Sequence, residues 1–379
     1  MQNYLVATSF VFGAIIGSFL NVCIYRIPRE ISLIDPARSF CPSCRRPIPW
    51  RLNIPILSWL FLRGRCASCH ASIGPRYLVV EILTGILFAV AACLVPIPTV
   101  FSVWVLLSIL TVTTFVDLEF FVIPDSMSKG GIVAGLLLSV LTPGLQNSSN
   151  PWPAALSSII GGATGALILY LVSELGKLAF GRYKVELDAP ANFRLESLAD
   201  GDLRIAIGHE SFLWSEHFVR PSDQIILHVT DAEVNGAGFD SVDIAIFHDR
   251  IVAGPETIAL DKIISFSGHT TGGRFPREAM GLGDVKLVGA IGTFVGWQGT
   301  LFTIAAAAFI GAAFSIVLIA LGHRERSAKI PFGPYLAIAA TIWLFWGNTL
   351  GLLYARAVGF ASIGILSLVS EPAFFTAGE

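Results

Sequence analysis

Charge is scarce in this sequence. Acidic and basic side chains make up only 14% of its 379 residues while 54% are hydrophobic. A mean hydropathy of +0.70 is too apolar for a water-soluble domain of this size, so lipid must form part of the solvent. Basic residues do not outnumber acidic ones, at 25 against 27, which excludes a general nucleic-acid surface. Familiar catalytic signatures are missing too: there is no G-x-S-x-G elbow, no H-E-x-x-H helix and no G-x-x-x-x-G-K-[ST] phosphate loop. Their absence argues against a serine-elbow hydrolase, a zinc metalloprotease and a P-loop NTPase. The first 25 residues also lack a basic leader segment, and the apolar run Tyr4–Tyr25 is longer than the core of a cleavable signal, so a retained first span is expected.

What charge there is lies in telling places. Nine arginines fall between Arg26 and Arg76 against only Glu30 and Asp35, and such an excess beside a span holds its loop in the cytoplasm with the N-terminus outside. Further spans are expected at 78–95, 98–116, 130–145 and 153–173, punctuated by Pro96-Ile97-Pro98 and by Pro143-Gly144 through Pro153. The uncharged run Leu287–Gly322 is too long for one span, and Gly296-Trp297-Gln298-Gly299 divides it into a short segment and a full one. After the basic loop His323–Lys329, Ile330–Ala355 supplies another span. The expected fold is a polytopic α-helical membrane protein of about eight spans, or nine if the short run 357–370 also crosses. Between residues 176 and 279 the composition turns polar, with alternating runs at Asp202–Ile207, Gln224–Val229 and Val242–Phe247. Those runs predict an inserted small β-rich cytoplasmic domain.

The segments expected in chain order are therefore a first transmembrane helix at 4–25, a cytoplasmic loop domain at 26–77 and a transmembrane part at 78–175. The inserted domain follows at 176–279, then a second transmembrane part at 280–355 and a C-terminal apolar segment and tail at 356–379.

The loop carries Cys41-Pro42-Ser43-Cys44 and Cys66-Ala67-Ser68-Cys69, two knuckles slightly further apart than in the usual zinc ribbon that together offer four thiolates to one structural Zn²⁺. Cys66-Ala67-Ser68-Cys69-His70 also matches the c-type haem pattern, and disulfides are a third reading. A reducing, cytoplasmic placement favours zinc over both. Cys23 and Cys93 fall in spans as packing residues.

Two acids sit at the ends of membrane-length segments: Asp117 in Val116-Asp117-Leu118-Glu119, and Asp284 in Gly281-Leu282-Gly283-Asp284. A carboxylate near hydrocarbon costs about 2.5–3.5 kcal/mol at a helix centre, so a cavity, a partner or a reaction is expected there. Two carboxylates sharing one proton can hydrolyse a peptide, one activating water and the other polarising the carbonyl. The plain alternatives are a hydrated helix-end residue for Asp117 and a helix N-cap for Asp284. Glu119, Asp125 and Lys286 are ordinary interface charges, and Lys286 lies two residues from Asp284, so on a helix the two do not face each other.

At these residues the chain resembles the type IV prepilin peptidases, the bifunctional leader peptidases and N-methyltransferases of type IV pili and type II secretion. The likeness is carried by Gly17–Val22, Tyr25–Pro28, both knuckles, Asn53-Ile54-Pro55 with Ser58-Trp59, Arg76-Tyr77 and Val80–Gly85. It continues through Asp117 with Ile123-Pro124-Asp125, Gly281–Lys286 and Ile330–Pro334. The resemblance implies an aspartic endopeptidase of the bacterial inner membrane whose active site, Asp117 and Asp284, faces the cytoplasm. It also implies zinc on Cys41, Cys44, Cys66 and Cys69, and a prepilin or pseudopilin substrate. It further implies an S-adenosylmethionine-dependent methyltransferase, with Asn21, Arg26 and Glu81 as candidate cofactor residues; no glycine-rich nucleotide loop speaks for that activity. The insertion departs from the family and would dock a secretion or pilus assembly partner, gate substrate or simply be tolerated. Two rival functions are a non-enzymatic scaffold or ion-coupled transporter with a zinc loop, and a presenilin-like Gly-x-Gly-Asp protease that cuts within helices.

Overall fold

The computed structural model describes residues 2–35, 38–180, 182–197, 203–208, 210–214, 218, 223–276, 280–322 and 330–357. The basic loop His323–Lys329, Asp202 and the run 357–370 beyond its first residue lie outside them. The chain divides into two compact units, Met1–Tyr170 with Leu282–Glu379, and Leu171–Gly281.

The first unit is helical. Its helices are α1 (Gln2–Arg26), the short α2 (Leu57–Phe61), α3 (Arg76–Leu94), α4 (Ile97–Phe120), α5 (Asp125–Leu141), α6 (Pro151–Phe180), α7 (Leu282–Ala320) and α8 (Gly333–Ala357). Segments 2–29, 76–94, 97–120, 151–177 and 282–320 are long and apolar enough to cross a membrane, and Gly333–Gly347 adds a shorter apolar stretch. Prolines stand at or just before the starts of α4, α5 and α6, where a missing N–H costs nothing. The helices outrun the expected spans at their polar ends: α4 continues past Asp117 to Phe120, and α6 runs to Phe180, beyond Gly176 where the polar composition begins.

Packing in this unit depends on small residues, as between helices in lipid. Gly13 and Gly17 of α1 lie against α3 so closely that a Cβ on Gly17 would stand 2.9 Å from the Glu81 Cα. The seam brings Leu20, Cys23 and Ile24 onto Val80 of α3 and Val112 and Val116 of α4 in one buried cluster.

At Gly296 α7 breaks, with φ 68° and ψ 177°. A Cβ on Gly165 would lie 2.7 Å from both Val288 and Thr300. On one straight helix those two residues would be about 18 Å apart, so the chain doubles back at Gly296 and its two arms lie side by side. The expected division of Leu287–Gly322 is therefore a physical reversal, held by Gln146, which donates to the carbonyls of Thr293 and Phe294.

The second unit holds one antiparallel sheet of eight strands: β1 (Arg182–Ser197), β2 (Leu203–Ile207), β3 (Glu210–Leu213), β4 (Gln224–Val234), β5 (Ala237–Phe247), β6 (Arg250–Ala253), β7 (Glu256–Ala259) and β8 (Phe266–Pro276). The order is β3-β2-β1-β8-β4-β5-β6-β7. Ile225, Leu227 and Val229 of β4 alternate inward; Thr230 and Asp231 are both exposed where the register shifts, and Ala232 and Val234 resume, the signature of a bulge. Inward residues of β1, β2, β4, β5, β6 and β8 form a single core with Phe193 edge-on to Phe266. β1 and β8 pair with Arg182 opposite Pro276, so the chain enters and leaves the sheet side by side. Lys177, near the end of α6, pairs with buried Asp223 just before β4.

Candidate functional site

Asp117 sits in the last turn of α4 and is only 5% exposed. A carboxylate at a helix C-terminus opposes the macrodipole, so it needs a compensating partner. The chain supplies one: Oδ2 accepts the N–H of Gly333 at 2.8 Å, the first residue of α8, where helix polarity favours an anion. The run Pro331-Phe332-Gly333-Pro334 fits this duty. Both prolines lack an N–H, and a Cβ at position 333 would itself stand 2.8 Å from Oδ2.

Asp284 lies half-buried in the first turn of α7, a favourable place for a carboxylate. Its neighbours dock on the connection that follows Asp117. A Cβ on Gly283 would lie 3.0 Å from the Ile123 Cβ, and Lys286 Nζ bonds Asp125 Oδ1 at 2.6 Å. Lys129 holds the other Asp125 oxygen at 2.7 Å. Phe121 takes up a left-handed conformation and returns its N–H to the Asp117 carbonyl. The short stretch Phe121–Asp125, which follows Asp117 in the chain, thus receives the residues that flank Asp284. Two residues past Asp117, Glu119 accepts from Arg76 Nη1 at 2.5 and 2.6 Å, tying α4 to α3.

The four cysteines converge, with all Sγ atoms within 4.8 Å of one another. Two equivalent turns bring them there. Cys41 receives Arg45 N–H on its carbonyl and Cys66 receives that of His70, and both Arg45 and His70 have positive φ. Sulfurs bound tetrahedrally at about 2.3 Å would be about 3.8 Å apart, and Cys41 and Cys69 Sγ stand at 3.8 Å. The N–H groups of Cys69 and Ser68 draw the Cys66 thiol down to about 6, while burial and the neighbouring thiols push Cys69 up to about 11, so a bound metal would displace protons that the cluster otherwise keeps. The donor set fits zinc. Cys66 and Cys69 meet the other knuckle, and His70 serves as its turn's left-handed residue, so the pattern that resembles a haem site is used to close a four-thiol cluster.

Asn21, Arg26 and Glu81 line one cavity between α1, α3 and the loop. Arg26 is 2% exposed, donates to the carbonyls of Ser32 and Arg38 at 2.9 and 3.0 Å and lies over the Phe40 ring; these contacts organise the loop. Asn21 Nδ2 donates to the Tyr77 carbonyl at 3.0 Å. Glu81 is 7% exposed and its Oε2 accepts the Ile56 N–H at 2.6 Å. Ile56 has φ 63° and ψ −55°, and Leu57 N–H reaches the Pro55 carbonyl at 2.6 Å. This γ-turn of the rare positive-φ kind is strained for a β-branched residue, and the Glu81 carboxylate holds it.

The contacts of Gly333, Ile56, Glu119 and Asp125 go beyond the candidate site residues of the sequence. Only the density of Gly, Pro and charge around the acids hinted at them.

Comparison with known proteins agrees with this architecture. The bacterial peptidase A24 N-terminal domain family matches residues 11–95, and the type IV leader peptidase family matches residues 256–316. A prepilin leader peptidase/N-methyltransferase of Klebsiella pneumoniae is 37% identical over 46% of this chain and 75% of its own length. That of Neisseria gonorrhoeae is 33% identical over 48% and 69%, and that of Aeromonas salmonicida 27% identical over 92% and 93%. No solved structure matches. With the α1–loop–α3 unit, the four-thiol cluster and the Gly-Leu-Gly-Asp turn all falling in their matched order, the chain belongs to the prepilin leader peptidase/N-methyltransferase family.

Proposed function

We propose that the chain removes the leader of a prepilin or pseudopilin with Asp117 and Asp284, and N-methylates the new N-terminus. The docking of the residues that flank Asp284 on Ile123 and Asp125, a few positions past Asp117, carries this reading. The acids titrate as a pair: one takes a proton from the attacking water while the other, protonated, polarises the scissile carbonyl.

The topology we propose has eight spans: α1, α3, α4, α5, α6, the two arms of α7, and α8. Alternation then puts the Asp117 end of α4, the start of α7, the zinc loop and the inserted sheet on the cytoplasmic side of a bacterial inner membrane. A prepilin with a basic leader in the cytoplasm and an apolar helix in the membrane meets both acids at its junction. Cys41, Cys44, Cys66 and Cys69 would hold zinc with no position left for water, a structural site. The cavity between α1, α3 and the loop would receive S-adenosylmethionine, which supplies an electrophilic methyl group when bound. Glu81 keeps the Ile56 turn in place as one wall, and Arg26 holds the loop that roofs it. The inserted sheet serves as a docking surface for an assembly partner.

The test is co-expression with a prepilin. Asp117→Asn and Asp284→Asn should each abolish leader processing in inserted, zinc-loaded protein. Continued processing by both would overturn the assignment, and ion-coupled uptake without cleavage would favour the transporter. Mass spectrometry of the product's N-terminus separates this from cleavage inside the helix.

A further inference from the structure

One polar atom at the α1–α3 seam has no partner. Asn21 is 1% exposed and its Oδ1 is buried without a hydrogen bond, a state that normally costs about 1–3 kcal/mol and calls for an explanation. The orientation of the amide is fixed, since the Tyr77 carbonyl that Nδ2 meets can only accept. Tyr77 lies four residues before Glu81, one turn along α3, and Ser18, one turn before Asn21 on α1, hydrogen-bonds Glu81. Asn21, Glu81 and Ser18 therefore line one cavity along this seam. Asn21 Nδ2 is engaged with Tyr77, Ile56 N–H with Glu81 and Arg26 with the Ser32 and Arg38 carbonyls, while Asn53 and Arg65 also line the cavity. An acceptor without a donor beside a carboxylate suits a cationic donor, and an ammonium group has three N–H donors and no acceptor.

We infer that Asn21 Oδ1 and Glu81 bind the α-ammonium group of the freshly cut pilin, the methyl acceptor. This rests on the bifunctional reading above and specifies one subsite of it. Position supports it: Leu20, Cys23 and Ile24, which flank Asn21, share one buried cluster with Val116, the neighbour of Asp117. The new terminus is made beside the wall that receives it. The cofactor's own amino group has the same chemistry, so the experiment must separate the two.

The probes are a synthetic peptide matching the start of a mature pilin, with a free or an acetylated N-terminus, and S-adenosylmethionine alone. Each is titrated against the detergent-purified full chain, the peptides by fluorescence anisotropy without cofactor and the cofactor by calorimetry. The free amine should bind roughly tenfold to a hundredfold more tightly than its acetylated form. Asn21→Leu should close that gap without changing cofactor affinity, and Asn21→Asp, which keeps an acceptor oxygen, should preserve it. Zinc content and elution profile report the fold of each variant. The inference fails if the unsubstituted chain shows no gap, a result independent of any variant's folding. It fails equally if the gap survives Asn21→Leu, or if that change weakens cofactor binding instead. Prepilin cleavage by the unsubstituted chain is scored separately: its loss with the gap intact strikes the peptidase reading alone.

Discussion

Gly333→Ala is the sharpest perturbation of the Asp117 carboxylate. The new methyl carbon would stand 2.8 Å from Asp117 Oδ2, 3.4 Å from its Cγ and 3.4 Å from its Cβ, against an ordinary carbon–oxygen contact of about 3.3 Å or more. The carboxylate must retreat by roughly half an ångström, which lengthens the 2.8 Å bond from the Gly333 N–H. A hydrogen bond to a charged group contributes about 1.5–3 kcal/mol. Under the role proposed for Asp117, displacing this oxygen should therefore slow cleavage by roughly tenfold to a hundredfold. Global folding should survive, because the clash is confined to the start of α8. The assay follows initial rates of leader removal from a purified prepilin in detergent, over a range of substrate, beside Asp117→Asn. The fall should appear in kcat with KM nearly unchanged, since the displaced group acts on the reacting bond rather than on the pilin helix. Wild-type kcat in Gly333→Ala would refute the idea that this N–H positions Asp117 during the reaction.

Two further outcomes are expected. Purified protein should carry about one zinc per chain, and Cys41→Ser with Cys66→Ser should release it and expose residues 38–75 to protease; full retention of zinc by the double variant would refute the ligand set. Because Arg182 and Pro276 are register partners, about 5 Å apart, replacing 182–276 by a short Gly/Ser linker should leave leader cleavage within a few-fold of the parent, as measured by the same assay. Loss of cleavage in membrane-inserted protein would mean that the sheet helps to form the site.

Local signals settled much of this protein in advance. Apolar runs of membrane length are legible residue by residue because hydrocarbon demands both low polarity and internally satisfied backbone. Paired C-x-x-C knuckles are legible because each places two thiols by its own turn. Alternation in 203–207, 224–229 and 242–247 shows strands for the same local reason, though strand order and the bulge at Thr230–Asp231 depend on partners far away in the chain. Even the reversal at Gly296 was marked by a Gly-Trp-Gln-Gly interruption, but that Val288 and Thr300 both flank Gly165 emerges only when α6 is packed on them.

What the sequence could not decide is which distant groups meet. Asp117 and Gly333 are 216 positions apart, Asp125 and Lys286 161 apart, and no periodicity links them; helix packing brings them together. The same holds for Arg26, a cofactor candidate by resemblance whose guanidinium the fold gives to loop carbonyls, and for Asn21, whose oxygen the α1–α3 seam leaves without a donor. Composition and spacing dictate each element through short-range sterics and solvation, whereas the use of a buried polar atom is set by what tertiary packing places within about 3 Å of it.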